Sequence, residues 1–109
     1  MLLVCRFQPL SDDPAAFAER ARRALALLTA APGCLGGELG RAVDEPAHWV
    51  LTVRFASVDA YRRALSPFDV REQVVPLLSE ALPESSTFET LATAVDGQVI
   101  EHRSLLTDG

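Results

Sequence analysis

The sequence predicts a single α+β domain in which strands and helices follow one another in the order β-α-β-β-α-β. Two patterns carry this prediction. Apolar residues recur at helical spacing over residues 14–30, and apolar and polar residues alternate over residues 48–55, as in a strand with one buried face. The 109 residues, 49% of them hydrophobic, are enough for one core and too few for two.

The first strand and the first helix are predicted over residues 2–7 and 14–30. Ser11-Asp12-Asp13-Pro14 separates them, because an aspartate before a proline supplies a helix N-cap followed by a favoured first helical residue. Pro32-Gly33 ends the helix. The helix carries one apolar stripe, made of Phe17, Ala21, Ala24, Leu25 and Leu28.

The second and third strands are predicted over residues 35–43 and 48–55, joined into a hairpin by a turn at Asp44-Glu45-Pro46. The glycines of the second strand indicate a bulge or the close approach of another backbone. The alternation in the third strand places four apolar side chains on one face, namely Trp49, Leu51, Val53 and Phe55.

The second half of the chain predicts a helix over residues 57–65, capped by Ser57, and another over residues 69–82 that Pro76 should kink or break. A final strand follows over residues 87–95. The whole order is that of a ferredoxin-like split βαβ fold, with a four-stranded antiparallel sheet and two helices on one of its faces.

The second face of this sheet needs a cover that so short a chain does not provide. We therefore expect a homodimer in which two sheets pair into a barrel-like core. Residues 1–96 form the domain in this interpretation, and residues 97–109 form a C-terminal extension that begins in the turn Asp96-Gly97. Val99-Ile100 is a candidate edge strand for the partner subunit.

The charge balance excludes one class of partner. The chain carries a formal net charge of -5, and its ten basic residues are scattered among fifteen carboxylates, so nucleic acid is not an expected ligand. No apolar window is long enough to span a membrane. Residues 1–6 have no basic segment ahead of their apolar run, so no export signal is expected. Cys5 and Cys34 show no motif spacing, which favours two reduced thiols in a cytoplasmic protein.

The sequence resembles the antibiotic biosynthesis monooxygenase family. The resemblance rests on the order of elements, on the turn Pro32-Gly33-Cys34-Leu35-Gly36-Gly37 and on the segment Leu51-Thr52-Val53-Arg54-Phe55-Ala56-Ser57-Val58-Asp59-Ala60-Tyr61, and it spans roughly residues 1–95. It implies a dimeric α+β barrel. Members of the family include cofactor-independent oxygenases of polycyclic phenols and anthrones, haem-degrading enzymes and proteins of unknown role.

Residue by residue, the resemblance to quinone-forming members is partial. Phe55 stands where those members have a tryptophan, and Leu51 stands where they have an asparagine. Tyr61 matches their tyrosine, and Arg71 is the counterpart of their helix arginine. The resemblance thus implies that Tyr61 and Arg71 are catalytic, while the alternation of strand three predicts a pocket lined by Trp49, Leu51 and Phe55.

Two alternatives to this site remain open. The large side chains at strand and helix spacing can be the core of a small domain with no pocket between them. Arg71 can lie on a solvated helix face, paired with Glu72 or another neighbour.

No metal site is expected. His48 and His102 are the only histidines, and no other candidate ligand stands at metal-binding spacing from them. The iron-binding histidine of the haem-degrading members falls near Val74 or Val75, and valine does not bind iron, so haem degradation is excluded.

The sequence therefore predicts a monooxygenase without metal, flavin or other cofactor, acting with dioxygen on an aromatic or polyketide-like small molecule. In such an enzyme the substrate supplies most of the chemistry, and the protein supplies orientation and a dry site. The alternative is a non-catalytic dimeric barrel that binds a small apolar ligand.

Overall fold

The fold is described from a computed structural model, in residues 1–10 and 12–104. Four strands form an antiparallel sheet in the order β2-β3-β1-β4, and two further strands form a separate hairpin, β5-β6. The elements are β1 (Leu2–Phe7), α1 (Pro14–Thr29), β2 (Cys34–Arg41), β3 (Trp49–Phe55), α2 (Val58–Ala64), α3 (Phe68–Gln73), α4 (Val75–Leu78), β4 (Thr87–Phe88), β5 (Ala92–Val95) and β6 (Gln98–Glu101). The predicted ferredoxin-like α+β class is confirmed.

The first helix begins and ends where the sequence predicts. The Asp13 carboxylate accepts a hydrogen bond from the Ala16 backbone N–H at 3.1 Å, which caps the helix ahead of its proline. Gly33 then takes a φ of 82°, a conformation that costs glycine little, and turns the chain into β2. The predicted stripe faces the core, with Leu25 half-buried and four residues buried: Phe17, Ala21, Ala24 and Leu28. Ser11, predicted to start the turn before this helix, lies outside the described residues.

Both predicted effects of glycine in the second strand are present. The ladder between β2 and β3 shifts register between Cys34 and Gly36, which is a bulge. A Cβ atom on Gly37 would lie 2.6 Å from the Thr52 carbonyl oxygen and 3.0 Å from the Leu25 side chain. Glycine at this position therefore lets β3 and α1 approach the strand closely.

The second helical region is broken, as its proline predicts. α2 begins after Ser57, whose hydroxyl accepts a hydrogen bond from the Ala60 backbone N–H at 3.0 Å. Further along, the single helix predicted over residues 69–82 is two short ones, α3 and α4, which meet at Val74. Pro76 lies in the first turn of α4, where its missing N–H leaves no helical hydrogen bond unmade.

The final strand differs from the prediction. Residues 87–95 do not form one strand: β4 pairs with β1 only through Leu2↔Phe88 and Leu3↔Thr87. Because β1 begins at Leu2, the chain beyond Phe88 runs past the end of its partner and leaves the sheet. It then folds back on itself as the β5-β6 hairpin, in which Val95 pairs with Gln98.

The turn of this hairpin is the predicted Asp96-Gly97, with φ values of 52° and 78°. Positive φ at both positions is the geometry that joins twisted antiparallel strands most tightly. Val99-Ile100, the candidate edge strand of the predicted extension, lies in β6, which pairs with β5 of the same chain. Of the predicted C-terminal extension, residues 105–109 lie outside the described residues.

The core lies between the sheet and the helices. All buried residues of β1 and β3 occupy odd-numbered positions, which face α1 and the later helices, and they are Leu3, Cys5, Phe7, Leu51, Val53 and Phe55. At even-numbered positions of the same strands, Val4, Val50 and Thr52 are half-buried, while Arg6 and Arg54 are exposed. The predicted alternation of β3 is therefore confirmed, and the sheet has one open face.

Candidate functional site

Phe55 and Tyr61 form an aromatic pair at one end of the helix–sheet core. Phe55 ends β3 and is 1% exposed. The Ser57 cap starts α2 two residues later, and this turn brings Tyr61 back over Phe55, with ring centroids 5.5 Å apart at 60°. Tilted rings at this distance attract one another beyond the area that they bury. The local sequence thus holds the Tyr61 ring in place.

The surroundings of Tyr61 keep its hydroxyl protonated. Burial raises the pKa of the half-buried Tyr61 phenol, and the nearby Cys5 thiol group raises it further. Burial also raises the pKa of Cys5 from 9.0 to about 11. Both groups are neutral near pH 7. Tyr61 is therefore suited to donate a hydrogen bond, whereas Cys5 is not a thiolate nucleophile.

The structure places the other predicted site residues in different surroundings. Leu51 is fully buried in the middle of β3, in the closely packed part of the core with Phe55. Trp49 is half-buried at the opposite end of β3, with its ring 5.3 Å from that of Phe17 and the Arg41 guanidinium 4.7 Å from its centroid. Arg71 is exposed on α3. Phe55 and Tyr61 are thus the predicted residues that the fold brings into contact.

The largest of four cavities described in the structure lies elsewhere, at the Trp49 end of the core. It has a volume of about 440 Å³ and opens between the end of β1, the first turns of α1 and the segment after α4. Phe7 and Phe17 line its inner side, and Arg20 and Glu80 line it as well. We call it the Phe7–Phe17 cavity. Tyr61, Arg71, Leu51 and Phe55 line none of the four cavities.

Sequence reasoning missed this cavity. The stripe on α1 identifies Phe17 as a core residue, whereas Arg20 of the same helix lies outside that stripe. Its partner, Glu80, is sixty residues away along the chain, and the two form a two-pronged ion pair with nitrogen–oxygen distances of 2.6 and 3.3 Å. The apolar spacing on α1, together with Phe7 at the end of β1, could have indicated an aromatic wall. No local pattern in the sequence indicates the ion pair between Arg20 and Glu80.

The remaining cavities are a groove and two small clefts. A cavity of about 400 Å³ lies between the end of α1 and helices α2 and α3, and no aromatic residue lines it. Trp49 and Arg41 line two clefts of about 200 and 210 Å³. The second of these also includes Arg6, which forms an ion pair with Glu84, and His48, whose Nε2 atom lies 3.1 Å from the Glu45 carboxylate.

The metal-ligating residue types do not converge in the part of the chain that the structure describes. Over residues 1–10 and 12–104, no three His, Cys, Asp or Glu side chains form a group that could hold a metal ion. His102 lies in the hairpin region, with its Nε2 atom 2.9 Å from the Thr93 hydroxyl. Among the same residues, no helix has the length and apolar character needed to cross a membrane.

The fold and the aromatic pair define a ferredoxin-like α+β protein with an aromatic helix–sheet core. The sequence model of the antibiotic biosynthesis monooxygenase family matches residues 1–67, more than half of the chain, and the protein belongs to this family. No curated protein matches the sequence significantly.

Several solved structures superpose on most of the chain. SnoaB from Streptomyces nogalater, a cofactor-independent oxygenase, is 26% identical with a TM-score of 0.66, covering 83% of this chain and 94% of its own. Rv0793 from Mycobacterium tuberculosis is 18% identical with a TM-score of 0.63, covering 99% of this chain and 97% of its own. A conserved protein from Methanosarcina mazei is 15% identical with a TM-score of 0.64, covering 79% of this chain and 84% of its own. The last two similarities show the fold alone.

Proposed function

We propose that the protein is a monooxygenase that needs no metal or flavin and oxidises an aromatic or polyketide-like small molecule, such as a phenol or an anthrone, with dioxygen. Membership of the family and the similarity to SnoaB, a cofactor-independent oxygenase, support this class of activity. The observation in this chain that carries the proposal is Tyr61, whose ring packs against Phe55 and whose hydroxyl is kept neutral by burial, which raises its pKa.

The proposed reaction draws its electrons from the substrate. An anthrone loses a proton from its ring methylene, and the resulting enolate gives one electron to dioxygen. The radical pair combines into a carbon hydroperoxide once a proton is returned. Loss of water then leaves a carbonyl, so that one oxygen atom enters the product and the other leaves as water.

Two side chains have proposed roles in this sequence. Tyr61 donates a hydrogen bond to the substrate oxygen on which the enolate charge develops, which stabilises the charged state more than the neutral one. Arg71 binds the same oxygen, or a second one, through a charge-assisted hydrogen bond. Leu51 and Phe55 stay the proposed apolar lining next to Tyr61, and Trp49, proposed with them, lies at the opposite end of β3. Since Leu51 and Phe55 are fully buried, the substrate would reach Tyr61 from its exposed side.

The test is oxygen uptake by the purified protein with a panel of anthrones and hydroquinones, with catalase present to remove peroxide. We expect uptake that depends on the protein and falls at least about tenfold in Tyr61→Phe and in Arg71→Ala, the loss typical of one charge-assisted contact. The matched control is Arg22→Ala. It also removes an exposed arginine, but from α1 and not from α3, and it should keep full activity.

No protein-dependent uptake over the whole panel would contradict the proposal. The alternative function, a non-catalytic barrel that binds a small apolar ligand, is favoured by Phe55 and Leu51, which stand where quinone-forming members have tryptophan and asparagine. A folded protein that binds an aromatic ketone without consuming oxygen would establish this alternative.

The proposal includes a homodimer in the cytoplasm. The open sheet face has half-buried apolar residues such as Val4 and Val50, and the β5-β6 hairpin exposes Val95, Val99 and Ile100 by 72, 62 and 61%. A second copy that covers these surfaces supplies the missing sheet-to-sheet layer. Both cysteines are free thiols, which suits a reducing compartment.

A further inference from the structure

The turn that ends α1 packs against α2, the helix that carries Tyr61. Gly33 in this turn has a φ of 82°, and a Cβ atom built on it would lie 2.7 Å from the Cβ atom of Ala60. Non-bonded carbon atoms pack best at about 3.5–4.0 Å, so this position has room for glycine only. Ala60 is 2% exposed and directly precedes Tyr61 along the chain. One glycine and one alanine therefore set the distance between the turn and α2.

The sheet holds this turn in place. The Gly33 carbonyl oxygen accepts a hydrogen bond from the Ala56 backbone N–H at 2.8 Å, one residue before the Ser57 cap of α2. The residue after Gly33 is Cys34, which pairs with Phe55 in the ladder between β2 and β3. The turn, the end of β3 and the start of α2 are thus joined at the Phe55 end of the core.

On the other side of the contact, α2 is short and is held by small side chains. It has seven residues, and the two that are buried are alanines, Ala60 and Ala64. Its aromatic contact is that of Tyr61 with Phe55. A side chain added at Gly33 therefore displaces α2, because the turn is fixed to the ladder. Restoring a carbon–carbon distance of about 3.7 Å moves the helix by roughly 1 Å, and Tyr61 moves with it.

We propose that Gly33 is a positioning residue: the missing side chain at this turn lets α2 lie close enough to the sheet to hold Tyr61 against Phe55. The consequence for catalysis rests on the proposed function, in which Tyr61 donates a hydrogen bond to the substrate oxygen. A misplacement of about 1 Å at a reacting centre can lower the rate by about a hundredfold. The position of Tyr61 itself is measurable without any substrate.

Tyr61 is the only tyrosine of the chain, so 3-fluorotyrosine labels this position alone. The fluorine chemical shift depends on the ring contact with Phe55, and its change with pH follows the ionisation of the phenol. We expect Gly33→Ala to shift the resonance and to lower the pKa of the phenol, because burial raises this pKa and the displaced ring is less buried. Cys5 on β1, which also raises the pKa of Tyr61, is unchanged in every variant.

Two further variants separate the contact with α2 from backbone strain. Gly97 in the β5-β6 turn has a φ of 78°, but a Cβ atom there would meet no atom within 4 Å. Gly97→Ala therefore introduces similar strain without a clash, and it should leave the fluorine resonance and the pKa of the phenol unchanged. Adding Ala60→Gly to Gly33→Ala removes the atom that the new side chain meets. This double variant should restore both values, although glycine weakens a helix.

Oxygen uptake measures the consequence for the proposed reaction. We expect Gly33→Ala to lower kcat by about ten- to a hundredfold and to change KM less, because the contact that is lost forms as the enolate charge develops. The double variant should recover most of the rate, and Gly97→Ala should keep all of it. If the unmodified protein takes up no oxygen with the whole panel, the proposed function fails, and the fluorine measurement still decides whether Gly33 positions Tyr61.

The proposal is overturned if Gly33→Ala leaves the fluorine resonance unchanged, if Gly97→Ala shifts it as much, or if the double variant keeps the altered values. If Gly33→Ala does not fold, the double variant decides alone. It must then fold with the resonance of the unmodified protein, since relief of the clash is the one favourable change that Ala60→Gly makes. A double variant that stays unfolded, or that folds with a displaced resonance, overturns the proposal.

Discussion

Tyr61 has a ring that contributes to packing and a hydroxyl that is proposed to contribute to chemistry, and one substitution separates the two. Tyr61→Phe keeps the contact with the Phe55 ring at 5.5 Å and removes only the oxygen. We expect the free energy of unfolding in urea to change by less than about 1 kcal/mol, the usual net value of one hydrogen bond, while oxygen uptake falls.

The control for this prediction is Tyr61→Ala, which removes the ring as well. We expect it to lower the free energy of unfolding by roughly 2–3 kcal/mol, somewhat less than truncation of a fully buried aromatic residue. A large loss of stability in Tyr61→Phe itself would assign the hydroxyl to the structure and speak against a role in catalysis.

Cys5 makes the stability of the protein depend on alkaline pH. Burial raises the pKa of its thiol from 9.0 to about 11, so the folded state holds this proton more tightly than the unfolded state. The stabilisation is complete below pH 9 and is lost as the pH rises through 11. We expect the free energy of unfolding to fall by roughly 2–3 kcal/mol over this interval, the equivalent of two pKa units.

Two alanine variants check the origin of this loss, measured by urea unfolding at a series of pH values. Cys5→Ala should reduce the slope and leave a smaller one, because the raised pKa of Tyr61 acts in the same direction. Cys34→Ala is the matched control, because it removes a half-buried thiol at the sheet edge and leaves Cys5 in place. Equal slopes in Cys5→Ala and the unmodified protein would contradict the assignment.

At the level of single residues, the sequence could predict which side chains of one helix or strand lie on the same face. It could not predict contacts between residues that are far apart along the chain. The alternation of β3 correctly places Trp49, Leu51 and Phe55 on the core face. Nothing in this pattern tells a packed core from a lined pocket, since both need apolar side chains at the same spacing. The ion pair of Arg20 with Glu80 depends on where α4 ends relative to α1, which no local pattern encodes.

At the level of elements, glycine fixes how closely β2 approaches its neighbours. Gly37→Ala would bring a Cβ atom to 2.6 Å from the Thr52 carbonyl oxygen. This is a backbone atom, which cannot move away by a side-chain rotation. We expect the free energy of unfolding to fall by about 1–3 kcal/mol, the usual cost of overpacking. Thermal and urea unfolding of the variant measure this loss.

Gly40→Ala is the matched control on the same strand. Its Cβ atom would meet only the end of the Val50 side chain, at 3.1 Å. A small rotation of Val50 relieves this contact, and alanine restricts the unfolded chain more than glycine does, so we expect a change within about 1 kcal/mol. A greater loss in Gly40→Ala than in Gly37→Ala would contradict the close approach of β2 to β3.

The elements that could be predicted are those whose ends are marked by local chemistry. Asp13-Pro14 and Ser57 begin helices, and Pro76 divides one, because capping and the missing N–H act within a single turn. The length of β4 could not be predicted in this way. Its residues suit a strand, but pairing ends at Phe88 because β1 begins opposite it, which is a property of the ladder register.

At the level of the whole molecule, two surfaces lack the cover that their composition requires. On the open sheet face, Val50 pairs with the exposed Arg6 of β1 and shares β3 with the exposed Arg54, and the hairpin lies outside the four-stranded sheet. A lone two-stranded hairpin is marginally stable in water. We therefore expect the hairpin to pack against another surface, for which a second copy of the chain is the proposed partner.

A homodimer predicts a light-scattering mass of about 24 kDa, twice the 11.8 kDa of the chain, at micromolar concentration. Val50→Glu introduces a charge on the open face and should shift the mass towards that of one chain. Val43→Glu is the matched control. Because Val43 is fully exposed in the turn after β2, this variant should leave the mass unchanged.

If Val50→Glu unfolds instead, a second measurement tests the dimer. The unfolding midpoint of the unmodified protein is then expected to rise with its concentration, as dimerisation coupled to folding requires. A mass near 12 kDa for the unmodified protein, with a midpoint independent of concentration, would show that the open face is stable without a partner.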